Sequence, residues 1–500
     1  MVWVPSGWQW LPVLLAALLV YELLRAVVVR SAKARYEAQV DRFLRANDIP
    51  VDGFRHTHRV VVKERVMADA GLAAAIEARA REEDTSIHEV RERVKAWLDE
   101  IVPQFNLLAY YKVGYALGRT AAYATYNVRL DRASLAAAKA QIPEGASVVY
   151  VSNHRSNADF VVTGFMLSRS VQVSYAVGEW ARIWPLESLF KAFGSYFVRR
   201  GEKDQLYHRT LEAYLQLITK QGVTQAMFPE GGLSRDGALR PAKVGLLDAM
   251  AKAKLDPAFT RPLVFVPVGI NFDRVLEDEN MVFEALHGRP RHAKRSLPTK
   301  LWRLTTLLGK ATYGVPLNLF RFLTKRLKKH GVAAIHFGEP MVFDDWLAEQ
   351  PTFLDDEDRH RRWQHLQPFA DGLLARIGAV VPATPVTLLC AALVSIGRDR
   401  MAGGVDTGAI LLAMRDTRRS LEAAGRPMEV SDPYREAHDG RAEVAAVADA
   451  VDAAEELEAI LERALDVVSG RGILELDDGV WRSPRWDLVQ YYANSIAQEK

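Results

Sequence analysis

One cysteine is all that this 500-residue sequence contains, and its formal net charge is no more than +3. A lone cysteine cannot form a disulfide within the chain, and Cys390 lies in an apolar run, 388–393, that favours inert packing over thiolate chemistry. Nothing here indicates an oxidising compartment, so exposure to the cytosol is expected. The small net charge argues against a nucleic-acid-binding protein, and a hydrophobic content of 49% argues against a disordered chain.

Several common catalytic motifs are also missing. The sequence has no G-x-x-x-x-G-K-[ST] phosphate loop and no G-x-S-x-G nucleophile elbow. His88 and Glu89 begin an H-E-x-x-H string, but Glu92 stands where the second histidine belongs. These absences argue against a P-loop nucleotide hydrolase, an α/β-hydrolase and a zinc protease, and no metal site is predicted.

Charged side chains are absent from the first 21 residues. The apolar stretch from Trp8 to Val29 is long enough, at about 1.5 Å per residue, to cross a hydrocarbon core of about 30 Å. Glu22 and Arg25 interrupt it, so a tilted or peripheral anchor is an alternative. A basic cluster follows from Arg30, which places the rest of the chain in the cytoplasm and argues against a cleaved signal peptide. Residues 1–31 are therefore predicted to be a membrane anchor.

Acidic side chains are absent between Glu284 and Glu339, where twelve lysines and arginines lie among leucines and phenylalanines. A basic and apolar segment of this kind binds anionic bilayers, each cation near the surface contributing about 1 kcal/mol. A solvated basic helical face and contacts with the phosphates of a ligand are the alternatives. The chain is expected at the inner or plasma membrane, with its catalytic region on the cytoplasmic side.

Beyond the anchor, the pattern predicts an α/β protein with two flanking helical regions. Residues 32–145 read as helical, with one helix starting at a capping box, Ser86 to Glu89, and another helical stretch reaching Tyr126. Residues 146–345 alternate strands with helices and 346–500 are mostly helical, with Ala446–Leu465 read as a solvated helix. The predicted strands are Ser147–Ser152, Val171–Val177, Ser195–Arg199, Thr224–Phe228, Leu263–Ile270 and Val332–Phe337.

A polar turn follows the first of these strands and carries His154 and Asp159. A carboxylate at a helix start can hold one imidazole nitrogen and stabilise the imidazolium, while the other nitrogen accepts a proton. His154 is therefore a candidate general base and Asp159 its orienting acid. The alternative is structural, because Ser156 and Asp159 have the S-x-x-D spacing of a capping box.

Two further strand ends carry unusual polar groups. Arg199 and Arg200 offer planar forks that bind phosphate, although a charged strand end is the plainer interpretation. In the segment 228–237, Glu230 can accept hydrogen bonds from a polyol, and Arg235 adds a cation. An ordinary glycine-rich turn explains that segment equally well.

In their order, these motifs resemble the glycerol-3-phosphate acyltransferase family, within the glycerolipid acyltransferases that carry an H-x4-D motif. The resemblance rests on N-H-R-S-N-A-D (153–159), G-S-Y-F-V-R-R (194–200), F-P-E-G-G-L-S-R (228–235) and V-F-V-P-V (264–268). The family usually has arginine where this chain has Leu233, which removes one expected substrate contact. The resemblance implies an α/β fold of the acyltransferase type, a mixed sheet with flanking helices.

The resemblance also implies a reaction, the transfer of an acyl group from acyl-CoA or acyl-carrier protein to the sn-1 hydroxyl of glycerol 3-phosphate. His154 would be the base and Asp159 its orienter, with no enzyme nucleophile, metal or cofactor required. Arg199, Arg200 and Arg235 would hold the phosphate, and Glu230 and Gly231 the glycerol. The full set of predicted substrate-binding residues is Arg155, Ser156, Arg199, Arg200, Glu230, Gly231, Gly232, Ser234 and Arg235.

Three other functions remain open from the sequence. Leu233 leaves lysophosphatidate or dihydroxyacetone phosphate as alternative acceptors. A base and an oxyanion site can also use water, as in a thioesterase. The chain could also be a catalytically inactive, membrane-bound lipid-binding protein.

Overall fold

A mixed sheet of eight strands forms the centre of the protein in the computed structural model. The structure describes residues 59–104, 115–168, 174–178, 186–199, 201–288, 329–350, 352–353, 358–430 and 446–497. The strands of the sheet are β1 (Asn127–Leu130), β2 (Ser147–Ser152), β3 (Ser174–Gly178), β4 (Tyr196–Val198), β5 (Gln225–Met227), β6 (Leu263–Phe272), β7 (Val332–Phe337) and β8 (Met341–Val342). A separate antiparallel pair consists of β9 (Glu475–Asp477) and β10 (Val480–Arg482).

Strand direction places the key loops at one edge of the sheet. The order is β1-β7-β6-β2-β5-β3-β4, with β8 pairing with β6. Strands β2 to β6 run parallel to one another, whereas β7 and β8 are antiparallel to β6, so the sheet is mixed as predicted. Because β2 and β5 are parallel neighbours, the loops that follow Ser152 and Met227 leave the same edge, where ligands bind in open α/β sheets.

Helices cover both faces of the sheet. Those before β6 are α1 (Arg59–Met67), α2 (Ala70–Glu82), α3 (Ile87–Ile101), α4 (Tyr115–Thr125), α5 (Arg132–Ala140), α6 (Asp159–Ser168), α7 (Leu186–Ala192), α8 (Gln205–Lys220) and α9 (Gly245–Ala251), which a 3₁₀ turn, Lys252–Leu255, follows. Those after β6 are α10 (Asp278–His287), α11 (Phe343–Glu349), α12 (Arg359–Val380), α13 (Pro385–Ile396), α14 (Arg398–Gly403), α15 (Thr407–Ala423), α16 (Ala446–Val468) and α17 (Trp486–Ala493).

The sheet separates two hydrophobic cores, and alternate residues of each strand enter one or the other. In β2, Tyr150 packs in the core formed with α6, α13 and α17, whereas Val149 and Val151 pack in the core formed with α3, α8 and α12. All ten residues of β6 are buried, as a strand covered on both faces requires. In β2 only Val148 is partly exposed, so the turn that follows this strand starts from a well-packed position.

Most predicted elements are confirmed, and the elements that were not predicted or were misinterpreted are short or amphipathic. β2 and β7 have the predicted bounds, and Ser86 Oγ caps α3 by accepting a hydrogen bond from Glu89 N. The helical stretch predicted through Tyr126 ends at Thr125, and β1 follows and pairs with β7. The interpretation of 446–465 as a solvated helix is wrong, because one side of α16 is buried in the core through residues such as Ile460.

Cys390 is fully buried in α13, and burial raises the pKa of its thiol. The prediction of inert packing for this residue is therefore confirmed. The predicted anchor, 1–31, lies outside the described residues, as does most of the acid-free segment. Among the helices that the structure describes, none combines the length and the apolar character needed to cross a bilayer.

Candidate active site

The turn between β2 and α6 brings His154 and Asp159 together. His154 Nδ1 lies 2.8 Å from Asp159 Oδ2, and both side chains are buried. The same carboxylate oxygen accepts hydrogen bonds from the backbone N–H groups of Arg155, at 2.8 Å, and Ser156, at 3.0 Å. Asp159 therefore holds the turn and the imidazole with one oxygen. A carboxylate bound to Nδ1 fixes the tautomer that leaves Nε2 as the proton acceptor.

Aromatic rings hold the imidazole of His154 in place. Its ring stacks on Phe228, with centroids 4.1 Å apart and planes 16° apart, and meets Phe160 edge to face at 5.6 Å. Among the described residues, no group hydrogen-bonds to Nε2. The imidazole is thus oriented by a carboxylate and two phenyl rings, and the nitrogen that can take a proton has no competing partner.

Glu230 braces the site from the loop after β5. Its Oε1 accepts a hydrogen bond from His154 N at 2.8 Å, and its Oε2 accepts one from Arg240 N at 2.9 Å. The side chain is almost fully buried, and burial raises the pKa of Glu230 to about 7. The structure shows a bracing role for this residue, and its direct contact with glycerol stays a prediction.

Replacement of Glu230 by glutamine is expected to change how stability depends on pH. Since the folded pKa is about 7 and the ordinary value 4.5, the folded chain keeps a proton that the unfolded chain loses between these values. Stability linked to Glu230 is therefore greatest below pH 4.5 and falls as pH rises towards 7, by up to about 3 kcal/mol. The free energy of unfolding, measured with denaturant at about pH 5 and about pH 7, should fall less between these pH values in the variant than in the wild type. An equal fall in both proteins would contradict this account.

The rest of the glycine-rich loop packs tightly against the turn after β2. Gly231 has a φ of +63°, and a Cβ there would lie 2.8 Å from Lys243 Cδ, so the position suits glycine. Ser234 N donates to His154 O at 2.9 Å, and Ser234 Oγ donates to Ala238 O at 2.6 Å. Gly232 and Ser234 are buried. The predicted substrate contacts of these residues stay predictions, and Ser234 is observed to join the loop after β5 to the turn after β2.

The two described arginines predicted to hold phosphate are paired with acids. Arg235 follows Ser234 and is thus beside the turn of His154, and its Nε lies 3.3 Å from Glu284 Oε2. Arg199 binds Glu100 through two hydrogen bonds of 2.9 and 2.7 Å, which raise the pKa of its guanidinium. Arg200 lies outside the described residues.

Position in the sheet separates Arg199 from the turn that carries His154. Arg199 follows β4 at the edge of the sheet, three strands from β2, or about 14 Å at ordinary strand spacing. No contact within the described residues joins it to the turn of His154. The phosphate contact predicted for Arg199 stays a prediction.

Sequence reasoning did not identify Glu277, which lies just before α10. Its Oε2 accepts a hydrogen bond from Ser156 Oγ at 2.8 Å, and its Oε1 accepts hydrogen bonds from both Asn157 N and Asn157 Nδ2. Ser156 Oγ also accepts a hydrogen bond from Ala158 N at 3.0 Å, so Ser156 braces the turn. Glu277 lies among other acids in the sequence, and nothing there separates it from a solvated helix start. No group of metal ligands occurs within the described residues.

Comparison with known proteins agrees with the resemblance. A family model described as Acyltransferase matches residues 136–271, and one described as Glycerol-3-phosphate acyltransferase C-terminal region matches residues 316–497. A glycerol-3-phosphate acyltransferase of Aeromonas hydrophila is 27% identical over 341 residues, which are 66% of this chain and 39% of the relative. Another, from Pseudoalteromonas atlantica, is 25% identical over 350 residues, 67% of this chain and 40% of the relative.

Among solved structures, a 1-acyl-sn-glycerophosphate acyltransferase from Thermotoga maritima is 14% identical, with a TM-score of 0.30 over 64% of this chain and 93% of that one.

This chain spans about two fifths of the length of the two curated glycerol-3-phosphate acyltransferases that it matches. The two family models follow one another along the chain, and the first contains the His154–Asp159 pair and the Glu230 loop. On these matches, the chain belongs to the glycerol-3-phosphate acyltransferase family.

Proposed function

We propose that this chain transfers an acyl group from acyl-CoA, or from acyl-carrier protein, to the sn-1 hydroxyl of glycerol 3-phosphate. The product would be lysophosphatidate, the precursor for phospholipid synthesis. One observation carries the proposal: a buried imidazole is bound to Asp159 through Nδ1, and its Nε2 has no partner among the described residues. This is the arrangement that a general base for a hydroxyl group requires.

In the proposed reaction, the His154–Asp159 pair carries out the proton transfers. The acceptor hydroxyl gives its proton to His154 Nε2 as its oxygen attacks the thioester carbonyl, and the negative charge of Asp159 stabilises the imidazolium. The tetrahedral intermediate collapses with cleavage of the C–S bond, and the leaving thiolate takes the proton back from the imidazolium. A thiolate is a good leaving group, so no covalent acyl-enzyme is required.

Arg240 supports recognition of an anionic acceptor despite Leu233. Its Nη1 donates a hydrogen bond to Leu233 O at 3.3 Å, and no carboxylate pairs with this guanidinium at ion-pair distance within the described residues. A cation therefore lies beside the position where the family usually has arginine. Arg235 would contribute a second cation once phosphate replaced Glu284 as its partner.

An acceptor panel tests the proposal. Purified protein is given labelled acyl-CoA with glycerol 3-phosphate, dihydroxyacetone phosphate or lysophosphatidate, and kcat/KM is compared. The proposal predicts the highest kcat/KM for glycerol 3-phosphate. A preference for either of the other two acceptors would contradict it.

A membrane location is part of the proposal, and the surface of α10 supports it. Leu276, Phe283 and Leu286 are exposed by 52%, 55% and 66%. Phe283 and Leu286 are three residues apart and share one side of the helix, and Glu284 of the same helix pairs with Arg235. The acid-free segment follows α10 directly in the sequence. Exposed apolar side chains that a basic segment follows in the sequence suit an anionic bilayer, and binding there would bring the acyl donor close to the turn of His154.

A double substitution of Phe283 and Leu286 by glutamate is expected to weaken binding to vesicles of phosphatidylcholine and phosphatidylglycerol in equal parts. Each apolar side chain contributes about 1.5–3 kcal/mol when fully buried, so the partition coefficient should fall at least about tenfold. Leu255→Glu is the matched control, because Leu255 is 51% exposed but lies before β6, at the opposite end of the sheet from the site. Co-sedimentation measures the effect, and equal binding of the double variant and the wild type would contradict this orientation.

A further inference from the structure

Arg155 is a buried cation whose hydrogen-bonding capacity is mostly unused. Its side chain is 2% exposed, and Nη1 donates a long hydrogen bond of 3.4 Å to Gly237 O. Within the described residues, Nε and Nη2 have no hydrogen-bond partner, and no carboxylate comes within ion-pair distance of the guanidinium. A desolvated charge without a partner is strongly unfavourable. The unused donors and the positive charge of Arg155 are suited to binding an anion.

Tyr491 of α17 supplies a further unused donor at the same place. The guanidinium carbon of Arg155 lies 5.0 Å from the centroid of the Tyr491 ring. The hydroxyl of Tyr491 is buried and, within the described residues, has no hydrogen-bond partner. Burial raises the pKa of Tyr491 to about 12, and the positive charge of Arg155 partly offsets this effect. The hydroxyl is therefore protonated at neutral pH and able to donate.

Close packing fixes α17 against the catalytic loops. Gly237 has a φ of +88°, and a Cβ there would lie 1.8 Å from Tyr491 O, so the loop and the helix touch through their backbones. Asn494 Nδ2 donates to Asp236 O at 2.8 Å. The hydroxyl of the neighbouring Tyr492 donates to Asp278 Oδ2 and accepts from Val275 N. These contacts fix the position of Tyr491 relative to the turn that carries His154.

We propose that Arg155 and Tyr491 form a phosphate-binding subsite, so that the C-terminal region completes the active site. A phosphate group presents several acceptor oxygens and up to two negative charges, which match the free N–H groups of a guanidinium and the O–H group of a phenol. Arg155 directly follows His154, so a phosphate held there would anchor the acceptor beside the base. The identification of this phosphate with that of the acceptor rests on the proposed function.

The subsite is tested with Tyr491→Phe, which removes only the hydroxyl, and with Arg155→Lys, which keeps the charge but loses the planar fork. Tyr196→Phe is the matched control, because the hydroxyl of Tyr196 is also buried and unpartnered within the described residues but lies in β4, three strands from β2. The probes are inorganic phosphate, titrated calorimetrically, and glycerol 3-phosphate in steady-state kinetics. Circular dichroism and the midpoint of thermal unfolding show that each variant is folded.

Loss of one hydrogen bond to a charged group is expected to raise the Kd for phosphate about tenfold or more in Tyr491→Phe. The KM for glycerol 3-phosphate should rise by a similar factor, with kcat changed by less than about twofold, because uniform binding is lost. Arg155→Lys should show the same pattern, and Tyr196→Phe should match the wild type.

Wild-type phosphate affinity in folded Tyr491→Phe and Arg155→Lys would overturn the subsite, as would a wild-type protein that does not bind phosphate. The two proposals fail separately. Phosphate binding that depends on Arg155 and Tyr491, without acylation of glycerol 3-phosphate, would support the subsite and refute the proposed function. Acylation with unaltered KM in both variants would refute the subsite alone.

Discussion

Replacement of His154 by alanine is expected to lower kcat for acyl transfer by at least about 10²–10⁴-fold, the usual contribution of a general base. The backbone around His154 should survive the change, because its N–H bonds to Glu230 and its carbonyl to Ser234. Loss of the ring stacked on Phe228 should destabilise the fold by about 1–3 kcal/mol, which leaves a folded protein to assay. Initial rates with acyl-CoA and glycerol 3-phosphate measure the effect.

A second histidine–carboxylate pair in the chain provides the control. His336 Nε2 lies 2.8 Å from Asp131 Oδ2, at the boundary of β7 and α5. His336→Ala removes a partly buried imidazole with the same kind of partner and should leave kcat within about threefold of the wild type, because among the described residues His336 makes no hydrogen bond to the turn of His154. If His154→Ala retained a similar rate, the assignment of the base would be wrong.

Replacement of Asp159 by asparagine is expected to lower kcat by about 10²–10⁴-fold while the turn stays intact; the upper figure is that of the corresponding change in a serine-protease triad. The structure allows this substitution to remove the charge of Asp159 without removing its hydrogen bonds. Asp159 Oδ2 accepts all three hydrogen bonds, from His154, Arg155 and Ser156, while the buried Oδ1 has no partner within the described residues. An amide nitrogen can take the place of Oδ1, so the variant keeps the contacts and loses the charge that stabilises the imidazolium.

Measurements of stability and a second variant distinguish the loss of the charge from a loss of structure. Asp159→Asn should unfold close to the wild-type denaturant midpoint, whereas Asp159→Ala should be destabilised because two buried N–H groups lose their acceptor. Asp131→Asn is the matched change at the second pair and should keep its activity. A wild-type kcat in Asp159→Asn would show that the carboxylate acts only as a helix cap.

The pairing of His154 with Asp159 was predictable from the sequence because the interaction is local. Four residues separate His154 from Asp159, and the strand before this turn and the helix after it restrict the conformations that the turn can adopt. The structural alternative was partly right as well, since Asp159 accepts hydrogen bonds from backbone N–H groups at the start of α6. The two interpretations describe one carboxylate that performs both tasks.

Contacts between distant residues were beyond sequence reasoning. Glu230 was predicted to contact a polyol. Its burial and its hydrogen bonds to His154 N and Arg240 N could not be predicted, because they arise only when two loops meet at one edge of the sheet. Glu277 lies more than one hundred residues from Ser156 in the chain, and Tyr491 still farther from Arg155. Nothing in their local pattern marks them.

The same contrast between local signals and long-range packing applies to the prediction of secondary structure. The strands with strong apolar character, such as β2 and β7, were predicted with their bounds, whereas β1 has four residues, none of them buried, and so gave little signal. The helix α16 was misread because its many alanines and glutamates hide a buried side that includes Ile460 and Ala464. Burial of that side depends on packing in the C-terminal core, which composition does not reveal.

The most direct test of direct acyl transfer by a His154–Asp159 base is the acceptor dependence of thioester cleavage. Release of the CoA thiol from acyl-CoA by the purified chain is followed with and without glycerol 3-phosphate, and lysophosphatidate is quantified in the same samples. The account predicts that thiol release requires the acceptor and matches the lysophosphatidate formed one to one. Thiol release at the same rate without acceptor, with free fatty acid as the product, would contradict it.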